Sequence, residues 1–401
     1  MTLDKPRAAV TVAGFCAFLD LYAPQVVMPQ LAEAFHVSEA VAASTVGIST
    51  LAVAISAPFV GLLTDKMPRK PLLLCAVLAL VLPTIMLVLS DTLSEILVWR
   101  FFQGVFLPAI FSATVAYISE EWPATEASGV MGYYIAGSAL GGFAGRFVTA
   151  LMTDHFGWKS GSLALTLVTL LCALAIWKWL PAGNDRRAAQ TSHIPALEGL
   201  RRHLTDPSLI ATYVVGFSVL FSMVATFTYV NFHLAQPPYS MSVSALGMIF
   251  LVYPIGAFVA PTSGYLIRKL GRRGTIFLAL STSAAGLLVT LAPGLTLVVV
   301  GLAMFVSGVF VAQTSATGFV GQRAKTARTT AVGLYVCCYY LGGSAGAEVP
   351  GLTVWHAFGW PGCVALVIGV LAGAVGLAWW AWRPQGLEPV IEDGAVADAA
   401  E

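Results

Sequence analysis

Hydrophobic positions in this chain are gathered into long unbroken runs instead of recurring at a short period. Twelve runs, each of about 20 residues and so able to cross a bilayer as a helix, occupy residues 8–30, 41–63, 71–90, 95–118, 128–151, 161–180, 208–232, 243–266, 274–292, 295–318, 329–352 and 362–382. They predict an all-α membrane protein of twelve transmembrane helices. Polar connections are short except over 181–207, where Pro181, Gly183, Arg186, Arg187, Pro195, Arg201 and Arg202 mark a cytoplasmic linker. That linker separates an N-terminal six-helix half, 1–180, from a C-terminal six-helix half, 208–383. Residues 384–401 are small, acidic and Ala-rich and read as a disordered tail.

Composition supports the membrane reading independently. Only 10% of residues are charged and 58% are hydrophobic, whereas soluble domains carry roughly 25% charged residues. A formal net charge of +1 offers nothing to nucleic acid. Of the 21 Lys and Arg residues, Arg100 and Arg146 lie inside runs and Lys159 alone falls on the outer side. The rest, including Lys5, Arg7, Arg69, Lys70, Arg268, Arg272 and Arg323, share the other side, which puts both termini in the cytoplasm. Lys5 and Arg7 precede the first run as in a signal peptide, but Asp20 lies at its centre and no small-residue cleavage pattern follows, so it reads as a mature helix. Cys16, Cys75, Cys172, Cys337, Cys338 and Cys363 all fall in apolar runs and read as packing residues. The histidines lie in loops or at run ends without ligand spacing, so no metal and no cofactor is expected.

Two connections repeat one pattern, Gly61-Leu-Leu-Thr-Asp65-Lys66-Met-Pro68-Arg69-Lys70 and Gly264-Tyr-Leu-Ile-Arg268-Lys269-Leu-Gly271-Arg272-Arg273. They lie half a chain length apart, so the protein reads as one unit written twice, an architecture of many secondary transporters. Gly342-Gly343-Ser-Ala-Gly346 echoes Gly141-Gly142-Phe-Ala-Gly145, and Phe358-Gly359-Trp360 echoes Phe156-Gly157-Trp158.

These residues resemble the major facilitator superfamily over nearly the whole chain. Its loop pattern Gly-x-x-x-Asp-(Arg/Lys)-x-Gly-Arg-(Arg/Lys) is matched by Gly61, Asp65, Lys66, Arg69 and Lys70, with Pro68 where the family has Gly. Proline cannot supply the positive φ that Gly allows, so this loop is expected to turn differently. Arg100-Phe-Phe-Gln103-Gly104 is similar to the Arg-x-x-Gln-Gly pattern associated with proton-coupled members. Gly137, Gly141, Gly142, Gly145 and Arg146 resemble the glycine-rich segment of antiporters without its proline. With Asp20, Tyr22, Pro24, Met28 and Pro29 the set looks like the twelve-span drug:proton antiporters and arabinose-efflux-type permeases. The resemblance implies a monomer in the lipid bilayer of a bacterial inner membrane, taking a small organic substrate and protons as partners.

Candidate chemistry is sparse enough to sort residue by residue. Asp20 and Glu348 are the acids inside runs. An ionised acid there costs roughly 3 kcal/mol, which makes each a candidate proton carrier. Arg100 enters its run from the outer side after about six residues, roughly 9 Å, and reads as the neighbour of Asp20. Arg146 reads either as a helix-end cap or as a clamp for a substrate carboxylate or phosphate. By the resemblance, spans one, four, seven and ten surround a central cavity. Tyr22, Phe106 and Phe221 would then line it, with Asn231 and Gln313 as polar contacts. Small-xxx-small spacing at Gly137, Gly141 and Gly145 predicts a close helix contact. A conformational gate is expected where Gly61, Asp65 and Arg69 of one loop and Gly264, Arg268 and Arg272 of the other meet charges of the opposite half. The proposed facing groups are Arg323, Lys325 and Arg328 for Asp65, and Glu120, Glu121 or Glu126 for Arg268.

Proton-coupled export by alternating access is the reading these features favour. Uptake of an organic anion by symport, with Arg100 and Arg146 as clamps, is the alternative. An intramembrane enzyme lacks a histidine inside a run to activate a nucleophile, and a non-transporting sensor lacks a sizeable output domain.

Overall fold

The computed structural model describes residues 4–64, 67–183, 196–324 and 328–382, and no strand occurs among them. The first apolar run is not one helix: α1 (Lys5–Leu19) stops, a 3-10 turn spans Ala23–Val26, and a short α2 (Met28–Ala34) resumes. Then come α3 (Glu39–Thr64), α4 (Arg69–Leu89), α5 (Leu93–Glu121), α6 (Ala124–Phe156) and α7 (Trp158–Trp179). The linker contributes a surface helix, α8 (Ala196–Thr205), ahead of α9 (Pro207–Ala235). A continuous stretch of 47 residues, Val243–Val289, holds α10 (Val243–Ile249), α11 (Tyr253–Val259) and α12 (Ser263–Val289). After α13 (Leu295–Arg323), a second stretch of 52 residues, Thr330–Ala381, runs from α14 (Arg328–Pro350) through a π-helical turn at Gly351–Trp355 into α15 (His356–Ala381).

Nine helical segments among the described residues are long and apolar enough to cross a membrane. The two longest would reach about 70 Å and more if straight, over twice a bilayer core. Each is broken at a glycine of positive φ, Gly271 at 69° and Gly359 at 57°. If each of them made two crossings and the interrupted first run one more, the total would match the twelve expected from the sequence.

The repeats seen in the sequence recur as geometry. In both Phe-Gly-Trp turns the glycine takes a positive φ that a side chain would resist, 83° at Gly157 and 57° at Gly359. The duplicated charged loops turn differently, as expected from the proline: Pro68 caps α4 at φ −58°, whereas Gly271 stands at 69°. The glycine stripe of α6 lies flush on α1, where a Cβ at Gly137, Gly141 or Gly145 would stand 2.0, 2.0 or 1.8 Å from the carbonyl oxygens of Thr11, Phe15 and Leu19. A Cβ on Gly342 or Gly346 of α14 would likewise stand 2.0 or 2.3 Å from the Phe217 and Phe221 carbonyl oxygens of α9. Backbones this close maximise dispersion contact, which drives helix association where lipid removes the hydrophobic term.

The two halves touch mainly through α3 against α14 and α6 against α10. The contact runs through Ala40 against Gly351, Gly47 against Glu348, Thr50 against Gly343, and Ala150 against Gly247. All of these lie toward the end opposite the Lys/Arg-rich loops; we call the two the far end and the basic end. At the basic end a Cβ on Gly132 of α6, Gly318 of α13 or Gly333 of α14 would meet nothing within 4 Å.

Candidate functional site

The break after α1 follows from Pro24. A helix would bond the Asp20 carbonyl to the N–H of residue 24, and proline has none. The next amide, of Gln25, bonds Tyr22 at 3.1 Å instead of Leu21, so two carbonyls at membrane depth lose their helical partners, a costly state in hydrocarbon. Arg100 supplies the donors. Its Nη1 donates to the Asp20 carbonyl at 2.9 Å, its Nη2 to the Leu21 carbonyl and its Nε to the Thr45 carbonyl at 2.8 Å. Its Nη1 also reaches Gln103 Oε1 at 2.6 Å, and Gln103 Nε2 donates to Thr84 Oγ1 at 2.7 Å. The depth of Arg100 is set by the start of α5, fixed by a capping box between Thr92 and Glu95.

This corrects the pairing expected from sequence: Arg100 is spent on backbone carbonyls and Gln103 rather than on the Asp20 carboxylate. That carboxylate, 1% exposed, accepts one bond, from Thr169 Oγ1 to Oδ2 at 3.3 Å. Its Oδ1 has no hydrogen-bond partner among the described residues. Asp20 lines a cavity of ≈ 40 Å³ together with Thr45, Thr84, Arg100, Gln103 and Thr149.

Arg146 sits where the halves meet and is 1% exposed. Its Nε and Nη2 donate to Gln25 Oε1 at 2.9 and 2.7 Å, its Nη1 to the Gly142 carbonyl at 2.6 Å, and its Nη2 to Tyr253 Oη at 3.4 Å. Three rings surround the guanidinium, Tyr22 at 5.0 Å, Phe250 at 4.6 Å and Tyr253 at 4.7 Å. Gln25 Nε2 continues across to Thr228 Oγ1 of α9 at 3.2 Å. No carboxylate pairs with Arg146 among the described residues. Hydrogen bonds to Gln25, the Gly142 carbonyl and Tyr253, with ring contacts contributing about 0.5–2 kcal/mol each, offset the cost of burying this cation.

A family model described as Major Facilitator Superfamily matches residues 10–347. The chain belongs to the major facilitator superfamily. It is 31% identical over 370 residues to the inner membrane transport protein YnfM of Escherichia coli (strain K12), covering 91% of this chain and 88% of that protein. It is 29% identical over 379 residues to the uncharacterized MFS-type transporter YybF of Bacillus subtilis (strain 168), 94% of each. The fold matches, at a TM-score of 0.77 and 14% identity over 94% of this chain and 96% of the other, a bacterial homolog of the human lysosomal transporter Spinster in an inward-facing and occupied conformation. As a major facilitator, the protein is an integral membrane transporter and not an enzyme.

The other residues expected in the major facilitator site are dispersed. Tyr22 joins the Arg146 cage. Phe221 is buried, stacked on Phe217 at 6.1 Å, with its carbonyl under Gly346. Asn231 is buried, its Nδ2 donating to the Phe227 carbonyl at 2.6 Å while Oδ1 has no partner among the described residues. Phe106 and Gln313 are half-buried on α5 and α13. Glu348 is half-buried at the contact of α14 with Gly47 of α3. Gln25, Phe250 and Tyr253 escaped the sequence reading. Gln25 carries a usable signal, a polar residue directly after a proline inside an apolar run.

Of the expected gate, Asp65 lies outside the described residues, as do Lys66 and Lys325. Gly61 falls in the last turn of α3 and Gly264 in the first of α12. Glu120 is taken by Arg69 of its own half at 2.7 Å, so the expected pairing with Arg268 is not made in this conformation. Glu121 lies beside Gly183, and Arg268 is exposed on α12. Arg272 donates to the Ser315 carbonyl at 3.1 Å and to Gln322 at 2.6 Å, and Arg323 pairs with Asp206 at 2.9 Å. Each of these partners lies in the same half or in the linker.

Proposed function

We propose that this protein is a proton-coupled exporter of a small organic compound, with two six-helix halves alternating their access. The carrying observation is Asp20, a buried carboxylate at a helix break with one oxygen unpartnered. Such an acid can take up and release a proton within the membrane, and inward proton movement supplies about 2.3 kcal/mol per charge per 100 mV. The positive-inside rule makes the basic end cytoplasmic. Halves whose mutual contacts gather toward the far end fit an inward-open carrier, with the Arg146 cluster closing the outer side. In the opposite state Asp65 would face Arg323, Lys325 and Arg328, and Arg268 would face Glu120, Glu121 or Glu126, closing the inner side.

The test is transport in proteoliposomes. Asp20→Asn is expected to lose flux driven by a pH gradient while retaining substrate counterflow. Proton-driven flux equal to wild type refutes the assignment. Uptake of an organic anion by symport is the second reading, favoured by the absence of a carboxylate beside Arg146; a pH gradient driving accumulation on the side to which protons move would select it over export.

A further inference from the structure

We propose that Asp20 exchanges its proton with the far side of the membrane through the cavity inside the N-terminal half, apart from the cleft between the halves that carries the organic substrate. The inference rests on the proton-coupling reading and adds the route. Every residue lining the cavity lies between Asp20 and Leu165, so the second half contributes none of its wall. At ≈ 40 Å³ it has room for about three water molecules and none for an organic solute. Two buried oxygens facing this region, Asp20 Oδ1 and Thr149 Oγ1, have no hydrogen-bond partner among the described residues, and buried polar oxygens of that kind are what internal water satisfies.

The cavity has a direction. Trp158, Ser162, Leu165 and Thr169 recur at helical spacing along one face of α7. Trp158 is the first residue of α7 at the far end and half-buried, its ring at an edge contact with Phe35, 5.8 Å between centroids. Thr169, at the other end of that face, is the donor to Asp20 Oδ2. On α5 the lining begins at Ile96, one turn from the far end, and ends at Arg100 and Gln103. Among the described residues, Arg100 of α5 is the charged group acting on Asp20, and the thiol of Cys16 on α1 lies close by, beside that of Cys172 on α7. A hydronium arriving along this path gives its proton to Oδ1 and leaves as water. Access is therefore opposite for the two cargoes: the cleft faces the basic end while Asp20 faces the far end. The link between them is short, because Arg100 holds the Asp20 and Leu21 carbonyls and the next residue, Tyr22, lies on the Arg146 guanidinium at the contact between halves.

The experiment uses Ser162→Cys in the full chain, with wild type treated identically to control for the native cysteines and Ser162→Ala to control for the substitution. A bulky membrane-impermeant methanethiosulfonate is added from the far side. The expected result is a loss of at least tenfold in flux driven by a pH gradient, with substrate counterflow changed less than twofold. No loss, an equal loss of counterflow, or modification only from the basic side overturns the route. A wild-type flux indifferent to the pH gradient overturns the proton-coupling reading itself, before any variant is made, and the route with it.

Discussion

At the scale of single residues, Arg100 and Asp20 separate two roles that a charge pair would merge. Arg100 serves backbone carbonyls left open by Pro24, and each buried carbonyl stranded without a donor costs about 1–3 kcal/mol. Arg100→Gln is therefore expected to lower the melting temperature of the detergent-solubilised protein. Arg100→Lys should restore little of it, since an ammonium cannot span both carbonyls as the guanidinium fork does. Asp20→Asn should leave stability near wild type. If the Asp20→Asn/Arg100→Gln double variant recovered the stability lost in Arg100→Gln alone, the two would be a charge pair and the carbonyl role would be wrong.

At the scale of elements, the glycine stripes and the interrupted first run carry the architecture. A Cβ at Gly141 would stand 2.0 Å from the Phe15 carbonyl and one at Gly342 2.0 Å from that of Phe217. Gly141→Ala and Gly342→Ala must then push α6 from α1 and α14 from α9, and both are expected to reduce the yield of monodisperse protein severely. Gly132→Ala, on the same helix as Gly141 but with nothing within 4 Å, should express as wild type. Equal yields for all three would mean that the helices yield to a methyl group and that close approach is not required. The stripe was legible in sequence because spacing by four puts small residues on one face whatever surrounds them. The break was not, because an apolar run containing Pro24 is compatible with either a kinked or an interrupted helix, and Arg100 decides by supplying the missing donors.

At the scale of the whole molecule, Arg146 joins the halves where they touch, bonding Gln25 on one side and Tyr253 on the other. Two conformations of similar free energy respond to small biases, and a loss of about 1.4 kcal/mol shifts their ratio tenfold. Arg146→Ala is expected to open the far end. Spin labels at the exposed positions Phe156 and Leu352 should report a larger population of long distances. An unchanged distance distribution would mean that α3 against α14 holds the far end closed without Arg146.

The order of apolar runs, the duplication and the one-sided Lys and Arg residues were decided locally, by the cost of placing polar groups in hydrocarbon, and so were readable along the chain. Candidate acids and bases at depth were readable for the same reason, since Asp20, Glu348, Arg100 and Arg146 are exceptions to that rule. Which group each one meets was not readable. Arg100 could bond a carboxylate or a carbonyl, and the choice depended on where Pro24 ended α1. The Arg146 cage assembles Tyr22, Phe250 and Tyr253 from segments more than two hundred residues apart in part. Those encounters arise only when the two halves pack, because contact between distant helices is set by their mutual tilt and register, which no single run of residues contains.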